Sequence, residues 1–217
     1  MRSKIIGTIC LVLGIIIIVS TGTSFAYFSA SAGINGDDIT GETMNFDVEL
    51  SATPIYKATR IIPLEEQYID DAITKSTNKC IDSKGYEVCS LYTLTLSNSG
   101  DAQVLNGYIS TSTSDRPYVT DNLRCQLFDS SYNPVSDITI LSKTLNEKVY
   151  FQTTENNTTN NVAIEVNSTT KKEVTYYLAI WLHETGGPQN DDYSKTFSGK
   201  IVFESLYGNQ ITANFSA

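Results

Sequence analysis

The chain contains one histidine, His183, followed directly by Glu184. A His-Glu pair begins the zinc motif of many metallopeptidases, but that motif needs a second histidine four residues after the first, and Gly187 stands there. A serine or cysteine nucleophile activated by histidine would also depend on His183 alone. The residues that are able to do chemistry therefore argue against an enzyme.

Two clusters of acidic and amide side chains offer oxygen atoms to a cation: Asn190, Asp191 and Asp192, and the pair Asp37 and Asp38. Calcium takes about six to eight oxygens, usually from an Asp-x-Asp-x-Asp-Gly loop with a trailing glutamate. No such loop is present. Because the same residues are ordinary turn formers, we predict no metal and no cofactor, while calcium at the Asn190 to Asp192 loop stays an alternative.

The cysteines indicate an oxidising compartment. Cys80 and Cys89 flank Asp-Ser-Lys-Gly, a turn sequence, so a disulfide across a hairpin is expected between them. Together with Cys125 they allow three pairings. We expect Cys125, in the apolar run Leu-Arg-Cys-Gln-Leu-Phe, to be a buried small hydrophobe rather than a nucleophile.

The first 26 residues have the order of a secretory signal peptide. A basic start is followed by an apolar run over 5–19 and by small residues, with Ser24 and Ala26 at the −3 and −1 positions of a cut between Ala26 and Tyr27. The run of roughly 15 residues is short for a bilayer, so cleavage is favoured over an uncleaved anchor. Cys10 would leave with this segment.

The charge balance is acidic. The full chain has 217 residues and a formal net charge of −9 at pH 7. Cleavage after Ala26 would remove Arg2 and Lys4 and no acid, which changes the net charge to −11. Such a surface argues against nucleic acid and against an anionic membrane as partners.

The stretch from Glu173 to Ser205 is the centre of the predicted fold. Its first arm, Glu173 to His183, is rich in β-branched and aromatic residues and apolar on both faces, which predicts a central strand covered on both sides. Its second arm, Thr196 to Glu204, alternates apolar and polar residues. The Gly-Gly-Pro-Gln-Asn-Asp loop between them suits neither a helix nor a strand. We predict that the two arms form one long hairpin.

Most of the remaining chain reads as short strands separated by turn residues. We expect an antiparallel all-β sandwich of jelly-roll type, in one domain over 39–217, with a short helical insert. The expected strands cover Thr43 to Ser51 (at or near a sheet edge), Tyr56 to Pro63, Val88 to Asn98, Val104 to Thr113, Leu123 to Asp129, Ile138 to Ser142, Val149 to Thr153, Val162 to Val166 and Gln210 to Phe215. The expected helix is Leu64 to Thr74, and Asn156 to Asn161 is a predicted polar loop.

The segment 27–38 has too little apolar surface to fold by itself. It is either a flexible tail or a strand that needs a partner. Its composition alone leaves both alternatives open.

Three stretches resemble the TasA/camelysin family of exported bacterial proteins. The first is Ser-Phe-Ala-Tyr-Phe-Ser-Ala (24–30), directly after the apolar run and before the Thr43 to Ser51 strand. The second is Cys-Ser-Leu-Tyr-Thr-Leu-Thr-Leu-Ser-Asn (89–98), which follows Cys80. The third is Tyr-Tyr-Leu-Ala-Ile-Trp-Leu (176–182), followed later in the chain by Gln-Asn-Asp and Phe-Ser-Gly-Lys-Ile. The resemblance spans most of the chain. The cysteines and the Leu64 to Thr74 insert are departures from the family pattern.

The resemblance implies a jelly-roll domain that forms extracellular biofilm matrix fibres after a SipW-type signal peptidase removes residues 1–26. In such fibres the freed N-terminal segment adds as a strand to the sheet of the next subunit, which propagates head to tail. Tyr27 and Phe28 would then fill apolar sites of the neighbour. The implied donor-strand residues are Tyr27, Phe28, Ser29, Ala30, Ser31, Ala32, Gly33 and Ile34.

Two other functions fit the same pattern. One is a monomeric cell-surface adhesion or ligand-binding sandwich whose N-terminal segment is a tail. The other is a secreted metallopeptidase, a label also used for the family, which the single histidine disfavours. For both the fibre protein and the adhesion domain, we expect the processed chain to be extracellular, without a membrane partner and without a cofactor.

Overall fold

The computed structural model describes residues 27–30, 41–58, 61–74, 80–170 and 172–216. The chain divides into two compact units, 1–45 and 46–217. In the first unit β1 (Tyr27–Ala30) and β2 (Gly41–Met44) form a two-stranded antiparallel sheet.

The second unit is built from short antiparallel strands, as the alternating sequence predicts. Its strands are β3 (Val48–Tyr56), β4 (Cys89–Asn98), β5 (Gln103–Thr111), β6 (Leu123–Phe128), β7 (Thr139–Ile140), β8 (Lys148–Tyr150), β9 (Gln152–Glu155), β10 (Thr158–Asn161), β11 (Ala163–Val166), β12 (Glu173–Leu182), β13 (Ser198–Ser205) and β14 (Gln210–Ser216).

Two five-stranded sheets face each other in this unit. The first sheet has the strand order β3-β4-β12-β6-β7. The second has the order β11-β5-β13-β14, and its fifth strand, β8, also pairs with β5. Strands β9 and β10 form a separate two-stranded hairpin. Alternate residues of both sheets fill the space between them, the inner core, whose most buried members include Leu94, Leu96, Leu105, Ile109, Leu127, Leu178, Ile180, Ile201 and Phe203. The all-β sandwich predicted from the sequence is confirmed.

Strand β12 lies at the centre of the first sheet, between β4 and β6. Leu178 and Ile180 point into the inner core. Ala179 and Trp181 belong to a second apolar cluster on the outer face, the outer cluster. A strand buried on both faces must be apolar throughout, so the predicted central position is confirmed.

The predicted hairpin between β12 and β13 is wrong. β12 pairs with β4 and β6, whereas β13 pairs with β5 and β14 in the opposite sheet. The loop over 183–197 therefore crosses from one sheet to the other, and we call it the crossover loop. A loop of this length does not impose pairing on its arms, and each arm has its own face to bury against the inner core.

The predicted helical insert is confirmed. A 3₁₀ turn over Glu66–Tyr68 leads into α1 (Ile69–Thr74), and α1 buries Ile69, Ala72 and Ile73 in the outer cluster. The strand predicted from Tyr56 to Pro63 is wrong, because β3 ends at Tyr56 and the chain then turns toward β12. There the Leu64 amide donates to the Leu182 carbonyl at 2.8 Å.

Two further strand predictions differ in detail. The Thr43 to Ser51 strand is interrupted over 45–47, and β3 is an edge strand as expected. The Val149 to Thr153 strand divides into β8 and β9 at Phe151, whose side chain is buried in the inner core and whose amide donates to the Gly107 carbonyl of β5 at 3.0 Å.

The predicted polar loop over 156–161 is wrong in its second half, which is β10. Asn156 and Asn157 both have positive φ, 49° and 61°, and Glu155 pairs with Thr158. Two asparagines in the left-handed region form a two-residue hairpin turn, so the Asn-Asn pair was the signal for a hairpin.

Candidate functional site

The start of the predicted donor segment is a strand. Tyr27 pairs with Met44 and Ala30 with Gly41, so β1 makes four antiparallel residue pairs with this chain's own β2. Ala26 and the residues Ser31, Ala32, Gly33 and Ile34 lie outside the described residues. An isolated two-stranded sheet this short is marginally stable in water.

The edges of the sandwich differ in how they are protected. Proteins guard exposed edges with charge, proline, bulges or short strands. β3 contains Glu49 and Pro54 and a register irregularity after Pro54, β7 has two residues, and β11 contains Glu165. β14 has seven residues with neither charge nor proline, and in the described ladders it pairs only with β13. By its sequence β14 is therefore the unguarded edge, and its neighbour across the sandwich is β3, with Cα atoms within 8 Å.

The predicted disulfide between Cys80 and Cys89 is present. Both residues are buried in the outer cluster, where Cys89 opposes Trp181 in the ladder of β4 and β12. The bridge joins the segment after α1 to the start of β4 and so fixes the covering of β12. It is compatible with an oxidising, extracellular location.

Cys125 is a free, fully buried thiol, as expected. Burial raises its pKa to about 12, because a thiolate in an apolar environment has lost its hydration. The thiol is therefore un-ionised at neutral pH and unsuited to nucleophilic chemistry.

His183 lies beside Glu66 and Arg124. Its Nδ1 is 3.4 Å from Glu66 Oε1, and Arg124 Nε is 3.3 Å from the same oxygen. Glu66 thus connects the helical insert to the end of β12 and to β6. Glu66 Oε1 accepts a hydrogen bond from Arg124 Nε, whereas His183 Nδ1 has no hydrogen-bond partner among the described residues.

The turn Asn190–Asp192 places one acidic side chain in an unusual position. Asp192 is 5% exposed, and its Oδ2 accepts hydrogen bonds from the Thr120 hydroxyl at 2.5 Å and from the Asn122 amide at 3.1 Å. Its Oδ1 is buried and meets no donor within the described part of the chain. Burial raises the pKa of the neighbouring Tyr118, and the charge of Asp192 acts in the same direction.

Asp192 lines a groove of about 950 Å³ at one end of the sandwich. Three parts of the chain line it: 57–58 with 61–63, the loop after β5 at Arg116 and Tyr118, and the crossover loop with the adjoining ends of β12 and β13. In the sequence Asp192 is one of several turn residues, and the groove could not be predicted because nothing in the sequence indicates that segments so far apart in the chain meet.

The described residues include no group of three histidine, cysteine, aspartate or glutamate side chains able to hold a metal ion. Within the same ranges, every helix is too short to span a bilayer. Both statements concern the described ranges alone.

The sequence matches no protein-family model and no curated protein. One similar solved structure is AvmM, which catalyses macrocyclisation in alchivemycin A biosynthesis. The similarity covers 88% of this chain and 95% of AvmM, with 12% sequence identity and a TM-score of 0.33. ACE19, the collagen-binding subdomain of the Enterococcus faecalis surface protein ACE, covers 61% of this chain and 87% of its own at 7% identity and a TM-score of 0.25.

A DUF4466 family protein from Parabacteroides merdae is similar over 77% of this chain and 43% of its own, at 9% identity and a TM-score of 0.28. All three similarities are too low to carry a functional argument.

Proposed function

We propose that this chain is an exported structural protein that assembles head to tail into extracellular biofilm matrix fibres after a SipW-type peptidase cuts between Ala26 and Tyr27. The N-terminal segment of one subunit would add as a strand to the sandwich of the next. The observation that supports the proposal is that one chain contains both a weakly held strand, β1, which in the described ladders pairs only with the short β2, and an edge strand, β14, that has neither charge nor proline.

The donor sequence has the period of a strand with one apolar face. Phe28, Ala30, Ala32 and Ile34 alternate with Tyr27, Ser29, Ser31 and Gly33. A strand of this kind buries its first set against a core and leaves its second set in water. The edge strand β14 has the matching pattern, with Ile211, Ala213 and Phe215 packed on the inner core.

Exchange of partners costs little on the donor side. β1 gives up four residue pairs with β2, whereas the uninterrupted β14 offers a longer ladder to an incoming strand. Because donor and acceptor lie on different parts of the molecule, the contact repeats and does not close. Cleavage at Ala26 would release the donor from the membrane and so start assembly.

The primary test compares a chain that begins at Tyr27 with one that begins at Asp38. Negative-stain microscopy and light scattering should show filaments for the longer chain and monomers for the shorter. Monomers from both would contradict self-assembly by the chain alone, and filaments from both would contradict strand donation.

A matched pair of substitutions tests the acceptor edge. Thr212 in β14 and Thr53 in β3 are both exposed threonines on edge strands. Thr212→Lys should raise the concentration needed for filaments by about tenfold, which is near 1.4 kcal/mol per contact, because a charge guards the edge. Thr53→Lys should leave that concentration unchanged. The reverse result would assign β3 as the acceptor.

A further inference from the structure

The groove at the end of the sandwich has the size of a ligand site. Its volume of about 950 Å³ lies at the upper end of the range for small-molecule sites. All of its lining residues belong to the second unit. What it could bind is determined by three features: a buried carboxylate, a cationic lining and an exposed aromatic side chain.

The buried carboxylate needs a hydrogen-bond donor. Asp192 Oδ2 is satisfied by Thr120 and Asn122, but Oδ1 has no partner among the described residues. A buried polar atom without a partner costs free energy, and a ligand that supplies a donor recovers that cost. Because Oδ1 is buried, a ligand reaches it only if the crossover loop shifts; around Gly186 and Gly187 in that loop, an added methyl group would meet nothing within 4 Å.

The lining is positive in an acidic protein. Lys57, Arg116 and Lys195 contribute three cationic groups, against the carboxylates of Glu184 and Asp192. The chain as a whole carries a formal charge of −9. This local reversal favours an anionic ligand and disfavours a divalent cation, which Arg116 and the lysines would repel.

The rim presents apolar surface to water. Tyr193, which directly follows Asp192, is 82% exposed, and Ile62 is 42% exposed. Both line the groove. A flat aromatic side chain with a polar tip, held in water beside hydrogen-bonding groups, suits a ligand that has both an apolar face and polar edges.

We propose that this groove binds an acidic oligosaccharide. A sugar hydroxyl donates to Asp192 Oδ1, the ring face packs on Tyr193, and a carboxylate of the sugar pairs with Arg116. Hydroxyl groups, a ring face and a negative charge occur together in such a ligand, and each meets one of the three features. An acidic peptide would satisfy the cations but offers no comparable ring face.

The test uses the chain that begins at Asp38, which keeps the whole groove, so that fibre formation does not enter the measurement. Isothermal titration calorimetry with tetragalacturonate is compared with maltotetraose, a neutral tetrasaccharide, and with tetraglutamate. We expect binding of tetragalacturonate that weakens as salt is raised, and much weaker binding of the other two. Absence of tetragalacturonate binding at roughly 5 mM overturns the proposal. Equal affinity for maltotetraose or for tetraglutamate overturns it too, the latter in favour of a peptide.

Three substitutions, each with a matched control, assign the contacts. Tyr193→Ala, at a side chain too exposed to affect folding, should weaken binding about fivefold, with Tyr86→Ala as its control. Arg116→Gln should weaken it about tenfold, with Lys84→Gln, an exposed cation outside the groove, as its control.

Asp192→Asn should also weaken binding by about tenfold, because an amide replaces the acceptor that the sugar hydroxyl meets. Asp191→Asn, at the adjacent exposed residue, is its control. If Asp192→Asn does not fold, the Tyr193 and Arg116 variants still decide the matter. Unchanged affinity in both of those variants would place the sugar elsewhere on the protein and overturn the assignment.

Discussion

The outer faces of the two sheets differ in what covers their side chains. On the first sheet, α1 and the segment closed by the Cys80–Cys89 bridge cover Trp181 and complete the outer cluster. On the second sheet, the outer face mixes apolar and polar side chains: Tyr108 and Val202 are buried there, and Lys148 and Glu204 form an ion pair at 3.0 Å across it. The Lys148 Nζ also lies 4.7 Å from the centre of the Tyr108 ring.

The difference follows from the strands at the centre of each sheet. β12 is apolar on both faces, so its sheet needs a cover on the outside. β13 places Lys200 and Glu204 on its outer face, on either side of the buried Val202, and these two charged side chains stay at least partly exposed to water. Apolar burial therefore stabilises one outer face and exposed polar contacts the other, and substitutions should separate the two.

The largest effect is expected from Trp181→Ala. Trp181 is fully buried in the outer cluster, and its removal should lower the free energy of unfolding by about 4 kcal/mol through lost burial and a cavity. Urea unfolding followed by circular dichroism measures the loss.

Trp181→Phe is the control for that substitution. It keeps an aromatic ring and removes an indole N–H that has no acceptor in the described part of the structure. The cost should be below about 1.5 kcal/mol. A loss as large as that of the alanine variant would mean that the indole N–H, and not the apolar cover, stabilises this face.

Removal of the disulfide should have the next largest effect. Cys80→Ala with Cys89→Ala opens a loop whose ends are 9 residues apart in sequence, and the chain-entropy relation gives a loss of about 2.5 kcal/mol. Amide hydrogen exchange should rise first over 61–89, the covering segment, and later in β5 and β13. A uniform rise across both sheets would show that the cover does not open separately.

The ion pair on the uncovered face should contribute least. The hydrogen bond from Lys148 holds the pKa of Glu204 below its ordinary 4.5. Because both side chains are partly exposed, Glu204→Gln should cost only about 0.5 kcal/mol at pH 7.

The pH dependence of that loss has a definite sign. A carboxylate whose folded-state pKa is lowered stabilises the fold fully above its unfolded pKa, and the contribution disappears as pH falls through the folded value. The difference between the protein and Glu204→Gln should therefore vanish well below pH 4.5. Glu155→Gln, at an exposed position of β9, is the control. A difference that persists in acid would mean that packing, not charge, is involved.

Cys125 should show no reaction at all. It lies between the sheets, and burial raises its pKa to about 12. In the chain that begins at Tyr27, which lacks Cys10, iodoacetamide at pH 8 should therefore leave the native protein unmodified and label one cysteine after unfolding without reductant. Labelling of the native protein would mean that the inner core opens more readily than the outer cluster.

Much of the local structure was predictable. The alternation of apolar residues identified most strands, and the turn between Cys80 and Cys89 indicated the disulfide. Strand ends were less predictable: Tyr56 to Pro63 reads as a strand, yet after Tyr56 its backbone bonds to β12 and to Glu87 instead. Where a strand ends depends on which backbone groups of other segments lie close enough for hydrogen bonding, and the sequence does not give these distances.

The ligand groove was beyond prediction for the same reason. Asp192 reads as one more turn residue, and its burial depends on Thr120 and Asn122, about 70 residues earlier in the chain. The reversal of charge around it likewise arises only when three distant segments meet.

The sequence by itself determined which faces of the strands are buried, where the central strand lies and that a short helix interrupts the strands, and it favoured Cys80–Cys89 among three possible disulfide pairings. Only the tertiary structure decided that the two arms of the stretch 173–205 belong to opposite sheets, that β14 is the unguarded edge and that Asp192 lines a groove. The reason is that a period of two fixes the buried face of a strand but not its neighbour, and neighbours are chosen by packing across the whole core.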